Sequence, residues 1–322
     1  MGVTIRDVAK AAGKSVAAAS AVLNGRTAGT IRVSDETRRK IEEAARDLGY
    51  TPHPHARSLA TRKSGVLGLV FPYVEAFTDQ NPFCNRLMAG VFDQAVHLKQ
   101  NVMLFTAVAG DSGTGSERSI VSPRVDGLIL VLPRPDSSVL EHCRRRGMPC
   151  VTVVHRPSDP ADVAVNADDY RGGRLAAEHL IQLGHRRIVH LGGTPHIASS
   201  APRWQGFSDA LREAGLESGQ NALIPTGFDW ADGVAALDRI MAIPARLRPT
   251  AVFAANDLCA GGVLRQMHKL GLKAPDDLAV VGYDDTWLAT TVDPPLTSVR
   301  MPIYEMGVTA SRMLVALING SG

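Results

Sequence analysis

Apolar positions along this chain follow two rhythms, and the change between them falls near Gly65. Before it the period is helical. Residues Thr4 to Asn24, TIRDVAKAAGKSVAAASAVLN, read as two short helices. Thr4 can cap the first, with Asp7 at the third helical position beside the exposed N–H groups and the positive end of the helix dipole. Ala11-Ala12-Gly13 is a small-residue stop, and Ser15 can cap the second helix. That helix is built almost wholly of small residues, so it can lie close to the first and still enter a major groove roughly 12 Å wide. A third helix is predicted from Asp35 to Leu48, with Ser34 as its cap, Ile41, Ala44, Ala45 and Leu48 on one face, and Gly49 as its stop.

After Gly65 the rhythm becomes that of buried strands. VLGLVFP, VMLFTAV, VDGLILVLP, CVTVVHRP, RIVHLGG, TAVFAAND and LAVVGYDD are continuous apolar runs ending in polar residues or glycine. Helical stretches separate them, among them Asn85 to Lys99, Arg171 to Leu183, Arg203 to Ala214 and Leu258 to Leu270. Strands buried on both faces and alternating with helices imply parallel sheets covered by helices. Polar groups at the strand ends then matter, because open α/β sheets bind ligands outside the carboxyl ends of their strands.

Charge sharpens the division. Residues 1–63 carry 12 Lys and Arg against 6 Asp and Glu, whereas the whole chain is +3, leaving the remainder at −3. A basic head on a mildly acidic body places a nucleic-acid contact at the N-terminus. The alternative is that two Ala-rich helices merely belong to a larger helical core. The 322 residues exceed the usual single-core size. MGVTIRD has no apolar signal region and no apolar run approaches 18 residues, so a cytoplasmic protein with no membrane contact is expected. Cys84, Cys143, Cys150 and Cys259 show neither C-x-x-C nor a partnering His pattern, so reduced thiols are expected and no metal.

Between head and body, Tyr50-Thr51-Pro52-His53-Pro54 ends the third helix. HARSLATRKS follows, with Arg57, Arg62 and Lys63 around Leu59. One large apolar side chain in a basic linker is what a minor-groove wedge needs, although a plain interdomain linker is the conservative reading. Arg26 and Arg32, between helices two and three, can meet phosphates, or that segment can be a solvated loop.

The order and spacing of several strings together resemble the LacI/GalR family of bacterial transcription regulators over nearly the full length. They are Thr4 to Asn24, SDETR at Ser34 to Arg38, ARSLATRKS, NPF at Asn81 to Phe83, RVDGLIL at Arg124 to Leu130, DDYRGGRLAAEHL at Asp168 to Leu180, LGHRRIVHLGG at Leu183 to Gly193, FAAND at Phe253 to Asp257 and VGYDD at Val281 to Asp285. The resemblance implies a small all-α helix-turn-helix domain over 1–49 and a hinge over 50–64. It also implies an α/β core over 65–322 of two subdomains like a type I periplasmic binding protein. The first subdomain is expected over about 65–165 plus 296–322 and the second over about 166–295. Crossovers are expected near Asn166, near Pro294-Pro295 and close to the C-terminus. The partners it implies are palindromic operator DNA, a sugar-like small-molecule effector and a second copy of the chain, as a homodimer or a higher oligomer. No cofactor is implied.

Carried over residue by residue, the resemblance assigns DNA contacts to Thr4, Lys14, Ser15, Val16, Ala17, Ala18, Ser20, Ala21, Asn24, Arg26, Arg57 and Leu59. The family often has longer polar side chains early in the second helix and Arg at the position of Ala21. Alanines can only touch thymine methyls or allow close approach. For the effector cleft it assigns Arg203 as the group holding a hydroxyl or carboxylate, Asp284, Asn256 and Asp257 as other cleft-facing positions, and Trp230 as a stacking aromatic. Asn81, Phe83 and His155 fall on the opposite rim. Plainer readings exist: Trp230 as core, His155 as a strand-end polar group, Asp168 and Asp285 as loop or cap residues. Gly110 to Pro123 holds Gly and Pro where the family has a helix, so a loop is expected there.

Enzymatic signatures are absent: no G-x-S-x-G, P-loop, H-E-x-x-H or G-x-G-x-x-G occurs. His179, His185, His190 and His196 straddle a helix, a turn and a strand, which does not make a metal site. A ligand-controlled repressor is therefore the reading. A binding protein without DNA function and a carbohydrate-processing α/β enzyme are the alternatives.

Overall fold

The computed structural model describes residues 3–23, 33–51, 63–71, 81–105, 120–134, 137–216 and 222–320. The chain divides into two compact units, Met1–Leu67 with Ser122–Asp126, and Gly68–Val121 with Gly127–Gly322.

The first unit holds three helices: α1 (Ile5–Ala11), α2 (Val16–Leu23) and α3 (Asp35–Asp47). Their ends are fixed by the side chains that the sequence offers. Asp7 accepts from the Thr4 N–H at 2.9 Å and from its hydroxyl at 2.7 Å. Ser15 Oγ accepts from the Ala18 N–H, and Ser34 Oγ from that of Thr37. Gly13 and Gly49 take positive φ just beyond α1 and α3, where glycine avoids the Cβ penalty. Val8, Ala9, Ala19, Val22, Ile41 and Ala45 form the core, the alanines letting α1 and α2 approach closely. In the same unit the Asp126 carboxylate receives the N–H groups of Ser64 and Gly65 at 2.6 and 2.7 Å.

Two five-stranded sheets follow, in the second unit apart from Val66 and Leu67, which open β1. Along the chain come β1 (Val66–Val70), α4 (Pro82–His97), β2 (Asn101–Phe105), β3 (Gly127–Val131), α5 (Ser138–Arg146), β4 (Cys150–Val153) and β5 (Val163–Val165). Then follow α6 (Asp169–Gln182), β6 (Ile188–Leu191), α7 (Ser200–Glu213), β7 (Leu223–Ile224), α8 (Trp230–Met241), β8 (Ala251–Phe253) and α9 (Asp257–Lys269). β9 (Ala279–Asp284), α10 (Leu288–Thr291), β10 (Thr297–Arg300) and α11 (Ile303–Ile318) complete it. The strand orders are β2-β1-β3-β4-β5 and β10-β9-β8-β6-β7. Strands β3 to β5 and all of the second sheet pair in parallel.

The chain passes from the first sheet to the second after β5 and returns after β10, where α11 packs on α4, β3, β4 and β5. The return therefore falls at Met301-Pro302 and not at Pro294-Pro295. Residues 297–300, expected in the first half, pair with Val281–Asp284 in the second. The prolines end a turn and do not carry the crossing. No third crossing is seen among the described residues, and most of Gly110 to Pro123 lies outside them.

Reciprocal glycines lock three helix pairs together. A Cβ on Gly173 would stand 2.0 Å from the Arg203 carbonyl oxygen, and one on Gly206 1.9 Å from that of Tyr170, so α6 and α7 meet backbone to backbone. Gly90 and Gly307 do the same for α4 and α11, and Gly233 and Gly262 for α8 and α9. The first of these pairs positions the cleft.

Candidate functional site

Two surfaces matter, and each lies within one unit. On the first, Thr4, Lys14, Ser15, Val16 and Ala17 are exposed, and Ala18 and Ser20 are half-buried. Val16 is 44% exposed. Ala21 departs from expectation: it is only 2% exposed. Helical periodicity turns it inward beside Val22, so the outward stripe is Val16, Ala17 and Ser20. Asn24, Arg26, Arg57 and Leu59 lie outside the described residues.

The second surface is a cavity of about 670 Å³ in the core, within the range of small-molecule clefts. Asn81, Phe83, Arg203, Trp230, Asn256 and Asp284 line it together, joined by Leu132, Val154, Phe228, Asp229, Asp232 and Met301 among others. His155 and Asp257 do not. The His155 backbone is clamped by Asn166, which accepts its N–H at 2.9 Å and donates to its carbonyl at 2.8 Å. Both oxygens of Asp257 are engaged, one by the Thr286 N–H and hydroxyl and the other by the Ser298 hydroxyl at 2.5 Å. Asp257 thus ties α9 to the loop after β9 and to β10.

Arg203 is buried, with its guanidinium 3.5 Å above the Tyr283 ring. Nη2 donates to Asp169 at 2.7 Å and Nη1 to the Ala255 carbonyl. Burial opposes its charge, but Asp169, Tyr283 and Asp284 more than compensate and hold its pKa above the ordinary value. Nε has no partner. That nitrogen is buried from solvent. Tyr283 completes the support by donating to Asp169 at 3.1 Å. Asp284 follows at the end of β9 with φ 104°, its carbonyl accepting the Met301 N–H at 3.4 Å. Burial pushes its pKa well up, with Asp257 and Asp169 adding to the shift and Arg203 opposing it. Asn81 and Asn256 cap α4 and α9 through their side-chain oxygens. Among the described residues their amide nitrogens have no hydrogen-bond partner.

Behind Arg203 lies an aromatic stack. His190 is sandwiched against Phe253 at 4.5 Å and faces Phe207 and Trp204. Burial lowers its pKa to about 3. Sequence reasoning passed over Asp169, Tyr283 and this stack. The adjacent Asp168 caps α6 by accepting the Arg171 N–H, and a cap is what a D-D pair at a helix start first suggests. The signal was Gly173, which lets α7 bring Arg203 within reach of Asp169. Trp230 is half-buried over Gly261, so it is cavity wall and not core.

Residues 4–53 match the bacterial regulatory proteins of the lacI family, and residues 177–322 match the periplasmic binding protein-like domain. The HTH-type transcriptional regulator DegA of Bacillus subtilis is 34% identical over 317 residues, covering 97% of this chain and 90% of its own. The chain belongs to the LacI family. It is a DNA-binding transcription regulator and not an enzyme. The regulator CelR of Thermobifida fusca is 33% identical over 98% of this chain and 92% of its own. Among solved structures, a CelR–cellobiose complex superimposes with a TM-score of 0.74 at 30% identity, covering 99% of this chain and 94% of its own. The lac repressor dimer bound to operator and the anti-inducer ONPF gives 0.82 at 27%, covering 100% and 94%. No helix among the described residues is long and apolar enough to cross a membrane.

Proposed function

We propose that this LacI-family regulator is a homodimeric repressor whose affinity for a palindromic operator is set by a sugar or sugar derivative bound in the core cavity. Residues 1–49 are the DNA-reading head, 50–64 the hinge with Arg57 and the Leu59 wedge, and 65–322 the effector-binding and dimerising core. Within the core, residues 297–300 belong to the second half.

The observation that carries the reading is the cavity that Arg203, Trp230, Asn256 and Asp284 line together, with the Arg203 guanidinium backed by Tyr283 and fixed by Asp169. Relatives solved with cellobiose and with ribose and the relative solved as a dimer on operator DNA support the sugar and the two-fold partner. Differential binding to two states of the core gives coupling, and about 1–3 kcal/mol would change operator affinity roughly 5- to 150-fold.

The test is a thermal-shift screen of sugars on wild type and Arg203→Ala, followed by operator binding with and without the hit. Arg203→Ala should lose roughly 1.5–3 kcal/mol of ligand affinity, the range of a charged hydrogen bond. It should still bind operator and no longer respond to ligand. A hit that stabilises both proteins equally would mean that Arg203 is structural.

A further inference from the structure

Two crossings join the halves of the core among the described residues, and a side chain pins each of them. On the way out, Asn166 follows β5 and holds the His155 backbone, accepting its N–H at 2.9 Å and donating to its carbonyl at 2.8 Å. Ala167 and the helix cap Asp168 then lead into α6.

On the way back the pin is Asp257. β10 is an edge strand of four residues with β9 as its neighbour, so its backbone alone holds it with few bonds. Within it, the Ser298 hydroxyl donates to Asp257 Oδ1 at 2.5 Å and accepts the Asp285 N–H at 3.1 Å. The other Asp257 oxygen receives the N–H and hydroxyl of Thr286 at 2.7 and 2.9 Å. Gly282 makes room for this carboxylate, standing opposite Ser298 in the β9–β10 register. A Cβ there would lie 2.5 Å from Asp257 Oδ1.

Asp257 does not face the cavity, but the segments it ties together do. Its neighbours Asn256 and Leu258 line the wall, as do Asp284, just before the turn at Asp285 and Thr286, and Met301, just after β10. Between β10 and α11, which opens at Ile303, stand Met301 and Pro302. Motion of one half against the other is absorbed by a few residues at such element ends. With Ser298 held, that compliance is confined to Met301-Pro302; with Ser298 released, β10 joins it.

We propose that Asp257 is a positioning residue, a latch on Ser298 that fixes where the returning chain bends and so sets the balance of core conformations that operator affinity reads. This rests on the reading that the core controls operator affinity, and it can be tested without a ligand. It gives Asp257 a part in the response to effector without contact to the effector.

The experiment uses the full-length protein and an operator selected from randomised DNA. Operator affinity, hydrogen exchange over residues 297–301 and melting are measured for Ser298→Ala, Ser298→Thr, Asp257→Ala and the double variant Asp257→Ala/Ser298→Ala. Ser298→Ala should speed exchange over 297–301 about tenfold or more, the scale of one hydrogen bond to a charged group. It should also move operator affinity about fivefold or more, the lower end of coupling between sites. Ser298→Thr keeps the hydroxyl and should behave as wild type. In the double variant, Ser298→Ala should add less than about twofold to the effect of Asp257→Ala, because both cut one contact. The proposal is overturned if exchange over 297–301 is unchanged in Ser298→Ala, or if the two substitutions add in full. It is equally overturned if exchange quickens while operator affinity stays within about twofold of wild type, which is what a merely structural contact gives. Repeating the DNA titrations with ribose and with cellobiose separates the latch from the wider reading. A sugar that shifts wild-type operator affinity, with Ser298→Ala the same as wild type throughout, would remove the latch and leave the effector site standing. Operator affinity that answers to Ser298→Ala and to neither sugar keeps the latch and removes those two sugars as effectors.

Discussion

At the scale of single residues, the core places titratable groups where only their neutral forms are comfortable. His190 is completely buried, its Nδ1 bonded to the Phe253 carbonyl and its Nε2 without a partner. With a folded pKa of about 3 and an ordinary value near 6.5, the unfolded chain takes up the proton first. Stability from this group is thus complete above pH 6.5 and is lost as pH falls toward 3. His190→Phe keeps a ring against Phe253 and cannot titrate. Denaturant melts at pH 7 and pH 5 should show the wild type losing about 1–2 kcal/mol more than the variant; equal losses would contradict the buried-histidine account. Asp284 has the opposite sign. A raised carboxyl pKa favours the folded state below the ordinary value of 3.8 and penalises it as pH rises through the folded value. Asp284→Asn should therefore stabilise the ligand-free protein at pH 8, by about 1–3 kcal/mol, with the gain fading toward pH 4. A melting temperature that the substitution changes equally at both pH values would show that the charge is not what the burial penalises. Arg203 and Asp284 were legible through the family resemblance, which assigned both to the cleft. Asp257 misled because its neighbour Asn256 faces the cavity, while Asp257 itself, one position along the helix, turns to Thr286 and Ser298.

Among elements, caps and stops were the most readable features. Thr4, Ser15 and Ser34 begin the helices of the head because their side chains satisfy N–H groups that a helix start leaves bare. The interior strands announced themselves as apolar runs. Strands β5, β7 and β10, of 3, 2 and 4 residues at or beside sheet edges, offer too little pattern to be seen. Helix packing is equally quiet in sequence, since a glycine inside a helix does not say what approaches it. Gly206→Ala would drive a methyl into the Tyr170 carbonyl, and backbone atoms there cannot rotate away. The helix carrying Arg203 must shift, at about 2–3 kcal/mol, with a loss of ligand affinity beyond that seen for a distant control. Gly215→Ala is the control: its φ of 68° imposes backbone strain, but nothing lies within 4 Å of the added carbon. Calorimetry on the two variants should show both less stable and only Gly206→Ala impaired in binding. Equal affinities would mean that α7 does not position Arg203.

For the whole molecule, charge and shape assign separate jobs to the head, and DNA binding can separate them. The head's excess of +6 lies in 63 residues of an otherwise acidic chain, so phosphate contacts should dominate affinity. If a dimer makes about 6–10 of them, affinity should fall roughly 10³- to 10⁵-fold between 50 and 200 mM salt, linearly on logarithmic axes. Sequence preference has a different source, because the exposed positions of α2 are Val16 and Ala17, and apolar side chains read thymine methyls and not the hydrogen-bonding edges of guanine. Lys14 is exposed at the start of that helix. Lys14→Ala should reduce the salt slope by about one per head and weaken all sites alike. Val16→Gln should leave the slope unchanged and shift the preferred base at one position in each half of a palindrome, since glutamine can pair with adenine where valine cannot. Ala21→Arg, by contrast, must force a long side chain out of a buried position, so its effect should appear as lowered stability before any change of preference. Selection from randomised DNA, followed by titration at several salt concentrations, measures all three. A Lys14→Ala protein with altered sequence preference, or a Val16→Gln protein with an altered salt slope and the old preference, would show that this face of α2 does not lie against base edges.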